Sequence, residues 1–248
     1  MSNSYGLLKV FRSLFSYLKG WCLIMKLFIF AIVCLLLSCR GSITAEAAAA
    51  GEKPFWQEKL RVYSEIPCVK QVIFVQYKGS SKADVKLYEK DNDQQWSLVL
   101  KCEGITGKNG LGKKKEGDKK TPEGDFGIFT AGGIKPNPGT KADYLLFDEH
   151  IFCADGPYYN KLIDDRKIPK DVLKALNLDP MNDGAPQFNY GLFLTYNREC
   201  VPGLGSYIFL HCLGEYDYTL GCIAVSEQDM IRILQHVDNN VRICIYPA

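Results

Sequence analysis

The chain has 248 residues, 47% hydrophobic, 12% aromatic and 23% charged, with a formal net charge of +2. This composition excludes wholesale disorder, collagen and coiled-coil arrays, and the length suffices to bury a real core. Residues 1–39 carry Lys9, Arg12, Lys19 and Lys26 and no acid, so the remainder sets 26 basic against 28 acidic residues; a body this close to neutral argues against nucleic acid as the main partner, because phosphate binding needs a basic face.

Residues 1–46 read as a targeting segment. Leu27–Leu37 (LFIFAIVCLLL) is an apolar run of 11 residues directly behind Lys26. It has the charge and length of a secretory signal and falls short of the roughly 20 apolar residues of a permanent span. Met25-Lys26 resembles a natural start, so residues 1–24 read as an over-extended beginning. Leu36-Leu37-Ser38-Cys39 resembles a lipobox, with Cys39 as the lipidated residue, whereas Ala45-Glu46-Ala47 fits an ordinary cleavage site. An uncleaved membrane anchor is the third reading. All three export the rest to the periplasm or cell envelope. Seven cysteines then remain in the body: Cys68, Cys102, Cys153, Cys200, Cys212, Cys222 and Cys244. In an oxidising compartment six could pair and one could be reserved, and the absence of C-x-x-C argues against a zinc ribbon or thioredoxin-type site.

Residues 47–68 read as linker and lead-in, with a short helix starting after Pro54. Strands are expected at Lys70–Tyr77, Asp84–Glu89 and Trp96–Cys102, the last two a hairpin around Lys90-Asp91-Asn92-Asp93. Glu103–Gly124 is Gly- and Lys-rich and reads as a solvated hairpin loop, or as a flap that meets acidic substrate. Further strands are expected at Asp125–Thr130, Tyr144–Phe147, Tyr190–Tyr196, Ser206–Cys212 and Asn240–Tyr246. Helices are expected at Pro169–Leu178 and Ser226–Val237. The second opens with Ser226-x-x-Asp229 and repeats Met230, Ile233, Leu234 and Val237 on one face. The sum is a β-dominated α+β single domain over 69–248, a mixed-sheet sandwich or half-barrel with a few edge helices.

The chemistry concentrates near the C-terminus. A strand ends in His211, and Cys222 follows eleven residues later behind Gly221 and shortly before the capped helix. An imidazolium and a helix N-terminus both favour a thiolate, and turn N–H groups at Gly221 and Cys222 are placed to face an oxyanion. A Cys–His acyl-transfer site follows, against the alternatives of a structural histidine and a core cysteine.

These segments resemble the L,D-transpeptidase (YkuD-type) catalytic domain over roughly Val69 to Pro247. The resemblance is carried by Glu116-Gly117-Asp118-Lys119-Lys120-Thr121-Pro122-Glu123-Gly124, Tyr159-Asn160-Lys161-Leu162, Tyr196-Asn197, and Ser206–His211 followed by Gly221-Cys222-Ile223-Ala224-Val225. Leu220 and Ala224 stand where the better-known motif has His and Arg, as in the branch with a GCIA-type motif; the missing Arg bears on substrate recognition. The resemblance implies Cys222 as nucleophile, His211 as general base and acid, Gly221 as oxyanion N–H donor, and the Cys212 carbonyl as the group orienting His211. It also implies peptidoglycan stem peptides as partner, release of D-alanine through a thioester, and neither metal nor organic cofactor; separately, Tyr159, Asn160 and Thr219 are expected to line the substrate cleft. An L,D-carboxypeptidase, a cell-wall amidase or endopeptidase, and a non-catalytic wall-binding lipoprotein are the competing readings. Cys212 beside His211 could be disulfide-bonded, buried or a redox partner of Cys222.

Overall fold

A computed structural model describes residues 55–248. The apolar run at 27–37, Cys39 and the 45–47 cleavage pattern lie outside the described residues. The chain opens with α1 (Phe55–Ser64) and continues through β1 (Gln71–Gly79), β2 (Lys82–Lys90) and β3 (Trp96–Ile105). After a long loop come β4 (Gly124–Phe126), β5 (Ile128–Gly133) and β6 (Tyr144–Leu146). β7 (Ile151–Ala154), β8 (Leu162–Asp164), the single-turn α2 (Lys170–Leu173) and β9 (Leu178–Pro180) follow. The chain ends with β10 (Gly191–Leu194), β11 (Phe209–Cys212), β12 (Ile223–Val225), α3 (Glu227–His236) and β13 (Arg242–Pro247).

Ten strands form one mixed sheet in the order β4-β13-β1-β2-β3-β12-β11-β10-β5-β6, and β8-β7-β9 form a second, small sheet. Topology dictates the curl of the large sheet. β4 is at one edge and β5 is next to the other, yet only Gly127 separates them in sequence. Laid flat, those strands would be roughly 40 Å apart at about 4.8 Å per strand. The sheet must therefore roll until its edges approach. Thr195, just past β10, closes that seam: its N–H donates to the Gly127 carbonyl and its Oγ1 accepts from the Gly127 N–H, both at 3.0 Å. The fold is thus β-dominated α+β with few helices.

Alternation partitions the side chains between the two faces of the sheet. Ile73 and Val75 of β1, Leu210 of β11, and Ile223 and Val225 of β12 enter the main core, together with Met230, Ile233 and Leu234 of α3. The Ser226 side chain caps α3, with Oγ accepting from the Asp229 N–H at 3.1 Å. On the other face of β1, Val72 and Phe74 pack with Tyr63, Trp56 and Leu60 of α1, so this part of the lead-in is a folded layer.

Three sequence expectations change. The helix expected at Pro169–Leu178 is one turn with no buried residue; Leu178–Pro180 instead pairs with β7. The strand expected at Asp125–Thr130 breaks at Gly127, where the chain crosses the seam. Ser206–Cys212 pairs only from Phe209, because Gly205 (φ +105°) and Tyr207 (φ +50°) turn the preceding segment out of extended geometry.

Candidate active site

β11 and β12 run parallel with Leu210 opposite Ile223 and His211 opposite Ala224. With Leu210, Cys212, Ile223 and Val225 facing the main core, Phe209, His211, Cys222 and Ala224 share the opposite face. Phe209, with Cys222 packed against it, belongs to a separate apolar cluster containing Phe147, Ile151, Met181 and Phe193.

Two cavities meet on this face, and His211, Cys222 and Phe188 line both. The first, about 630 Å³, is bounded by Pro186, Tyr216, Tyr218, Thr219, Leu220 and Ala224. We call it the rim cavity, since Tyr216 and Leu220 are each 67% exposed. The second, about 380 Å³, runs under the small sheet past Cys153, Asp155, Asp179, Met181 and Asp183; we call it the sheet cavity. The Phe188 ring stands 6.1 Å from the imidazole, centroid to centroid.

His211 is buried, and its Nδ1 lies 2.7 Å from the Cys212 carbonyl oxygen. A carbonyl only accepts, so Nδ1 carries the hydrogen and Nε2 is left as the basic nitrogen. Burial pushes the imidazole pKa down, opposed by that hydrogen bond. The resting histidine is therefore neutral at pH 7.

Cys222 departs from the thiolate expected of its position. Burial raises its pKa to about 11, and the Phe209 N–H and the Lys113 ammonium offset only part of that. Its Sγ accepts from the Phe209 N–H at 3.4 Å, and its S–H donates to the Tyr207 carbonyl at 3.3 Å. Helix α3 starts too far along the chain to help, and its end is capped by Ser226. Among the described residues no hydrogen bond joins Sγ to the imidazole. The resting pair is a neutral thiol and a neutral imidazole sharing two cavities.

The turn that presents Cys222 is held from behind. Thr219 Oγ1 accepts from the Gly221 N–H at 3.1 Å and donates to the Cys222 carbonyl at 2.6 Å. The fully buried Thr121 also donates to that carbonyl, at 3.2 Å, and accepts from the Gly107 N–H at 2.7 Å. Gly221 has φ +150°, and a Cβ there would lie 3.0 Å from the Lys120 carbonyl and 3.4 Å from Lys113 Nζ. Only glycine fits.

Lys108, Lys114, Lys115 and Lys119 of the Lys-rich loop are exposed, as a solvated loop expects, but the loop is also anchored internally. It wraps around the Asp118 carboxylate, which accepts from the N–H groups of Lys114 (2.8 Å), Lys115 (3.1 Å) and Lys120 (3.0 Å) and from Lys113 Nζ (3.0 Å). These donors hold the Asp118 pKa well below the carboxylate range against the opposing effect of burial. The wrapped loop is tied to the nucleophile turn, as Lys108 N–H donates to the Thr219 carbonyl and Thr219 N–H to the Thr106 carbonyl, both at 2.9 Å.

The remaining expected residues fall as follows. Thr219 lines the rim cavity, but its hydroxyl is spent on the turn. The Gly221 N–H points to Thr219 rather than into the cleft, so Gly221 does not offer a free oxyanion donor in this arrangement. Tyr159 and Asn160 line neither cavity. Tyr159 OH donates to Glu116 (2.6 Å) and accepts from the Gly205 N–H (3.0 Å). Asn160 accepts from the Tyr207 N–H (2.8 Å) and donates to the Tyr196 and Asn197 carbonyls. Both brace the 196–207 segment, and Asn160 also borders a third cavity with Phe129, Phe193 and Arg198 that contains neither His211 nor Cys222. Cys212 turns its thiol into the main core, where it donates weakly to the Tyr190 carbonyl, far from a pairing role. All seven cysteines among the described residues are free thiols. Sequence reasoning missed Thr121, Asp118 and Lys113 as supports and Phe188 as the wall shared by the two cavities. Thr121 and Asp118 stood inside a motif that was quoted for resemblance only, and Lys113 stood in the Lys-rich stretch just before it; Phe188 carried no signal. Among the described residues no group of three His, Cys, Asp or Glu side chains is placed to hold a metal ion.

The family model for the L,D-transpeptidase catalytic domain (YkuD) matches residues 72–245. A search of curated proteins finds no match.

Proposed function

Because the chain belongs to the L,D-transpeptidase catalytic-domain family, whose members cross-link peptidoglycan through its stem peptides in the cell envelope, we propose that it is an exported cysteine acyltransferase working through Cys222. The stem-peptide carbonyl enters beside Sγ. His211 Nε2 takes the thiol proton as sulfur attacks, and Nδ1–H stays on the Cys212 carbonyl, which stabilises the imidazolium as it forms. Collapse of the tetrahedral adduct expels D-alanine, whose amine receives the proton from His211, and leaves a thioester on Cys222. A second stem's side-chain amine then attacks the thioester, giving the amide cross-link and restoring the thiol. The Cys222 main-chain N–H is the oxyanion donor we favour, since the Gly221 N–H is engaged by Thr219.

A thiol with a pKa near 11 is almost wholly protonated at pH 7 and attacks only as its proton passes to a base. It becomes effective when substrate excludes water and brings its carbonyl into line, because the proton then moves directly to His211.

The observation that carries this reading is the pair of cavities converging on one Cys–His pair. A hydrolase needs room for one peptide and water; a transferase needs two peptide paths. The sheet cavity is lined by Asp155, Asp179 and Asp183 and by no Lys or Arg, so it suits the amine-bearing acceptor, and the rim cavity suits the acyl donor. Muropeptide analysis after incubating the purified enzyme with sacculi tests it. New cross-links formed by wild type and absent with Cys222→Ala are expected. Trimmed stems without cross-links would make the protein an L,D-carboxypeptidase, and unchanged muropeptides would leave a wall-binding role.

A further inference from the structure

One nucleophilic side chain has no part in the mechanism above, yet it shares a wall with Cys222. Cys153, on β7, lines the sheet cavity along with Cys222 and His211. Both sulfurs pack against the same apolar cluster. The Cys153 S–H donates to Met181 Sδ at 3.3 Å, a weak contact that places that thiol beside a buried methionine. Tyr207 links the two sites: its carbonyl accepts from Cys222, and its hydroxyl bonds both the N–H and the carbonyl of Ala154, the residue next to Cys153. The other thiols are elsewhere. Cys212 faces the main core and Cys244 lies under α1. Cys200 borders the third cavity, and Cys68 and Cys102 line neither cavity at Cys222.

We propose that Cys153 is a resolving thiol for Cys222, so that oxidation of the nucleophile by hydrogen peroxide ends in a reversible Cys153–Cys222 disulfide. In the first step the Cys222 sulfur, its proton passed to His211, attacks one peroxide oxygen. The S–O bond forms and the O–O bond breaks, giving a sulfenic acid and hydroxide; sulfur loses two electrons and peroxide gains them. The hydroxide takes the proton back from His211 as water. In the second step the Cys153 sulfur attacks the sulfenic sulfur. The S–S bond forms, the S–O bond breaks, and the departing hydroxide leaves as water with the Cys153 proton. The disulfide halts the climb to sulfinic acid, which thiols do not reverse. β7 belongs to the small sheet and pairs over only three residues with each neighbour, so it is the element that shifts to bring the sulfurs into bonding distance.

The test treats the full chain with hydrogen peroxide and maps it without reduction. The expected result is a linked peptide containing Cys153 and Cys222, a mass loss of two hydrogens, and recovery of most Cys222 reactivity on adding dithiothreitol. Under the same exposure Cys153→Ala should carry sulfinic acid at Cys222 and recover less than about a tenth of what wild type recovers. Cys153→Ser should behave as Cys153→Ala, and the wild-type map decides alone if neither variant folds. Wild type that accumulates sulfinic acid at Cys222 without the linked peptide, or that links Cys222 to another thiol, overturns the proposal. The readout is covalent, so it stands or falls separately from the transfer reaction.

Discussion

Two faces of the same strand pair, β11 and β12, have opposite tasks. Leu210, Cys212, Ile223 and Val225 face inward and are at most 1% exposed. Phe209, His211, Cys222 and Ala224 face the cavities one residue out of phase. Cys212 and Cys222 make the contrast sharpest. Both are thiols raised by burial, to about 12 and about 11, but only one has a cavity in front of it and a basic nitrogen nearby. Reactivity here is set by what a side chain faces, and the inner face holds the outer face still.

That contrast is open to direct attack. Cys222→Ala should lower turnover by at least about 10⁴-fold, as loss of a nucleophile does, while the thermal midpoint moves by only a few degrees; turnover assays and calorimetry on one preparation check both. Leu210→Ala, on the inner face, should do the reverse. It should cost about 2–5 kcal/mol in urea unfolding and leave the turnover of the folded fraction within about twofold. A large turnover loss in folded Leu210→Ala would erase the distinction between faces.

Asp118→Asn addresses the scaffold behind the outer face. It strands the buried Lys113 ammonium, for which about 3 kcal/mol is expected. The pH dependence supplies the sign. The native carboxyl has a lowered pKa, so its contribution is complete above the unfolded value of about 3.9 and fades as pH falls toward the native value. The stability gap between wild type and Asp118→Asn should therefore be full at pH 6 and shrink below pH 4. A gap independent of pH would remove the carboxylate from the account.

The smallest effect separates the two thiols themselves. Cys212→Ala should cost about 1 kcal/mol and leave turnover unchanged. Iodoacetamide labelling of resting Cys222 should rise with pH toward an inflection near 11, because a raised pKa keeps the thiol protonated through neutral pH. An inflection at or below the ordinary thiol value of about 8.5 would contradict the raised pKa.

How much of this was legible in the sequence depends on how local the cause is. The β-branched and aromatic run in Lys70–Tyr77 marks β1, a strand buried on both faces, and the 3.6-residue repeat of Met230, Ile233, Leu234 and Val237 marks α3 because it records one buried face. His211 and Cys222 stand out by residue type and spacing. The small sheet was not legible: β7, β8 and β9 have three or four residues each, too few for a period to show, and their apolar residues serve a neighbouring cluster. The protonation state of Cys222 was misjudged for a related reason. Proximity to a helix start is visible in sequence, whereas the burial that outweighs it is made by Phe209, Phe188 and Tyr207 arriving from distant segments. Likewise Tyr159 and Asn160 have side chains suited to substrate, but the backbone groups of Gly205 and Tyr207 claim them first.

The central claim is that the acyl group passes through the sulfur of Cys222. Mixing the enzyme with a tetrapeptide stem in the absence of acceptor, quenching with acid and mapping the digest reads this directly. The account predicts a thioester-linked acyl group on the peptide containing Cys222, discharged when an amine acceptor is added. Cross-link formation in full, with that peptide never acylated, would contradict it.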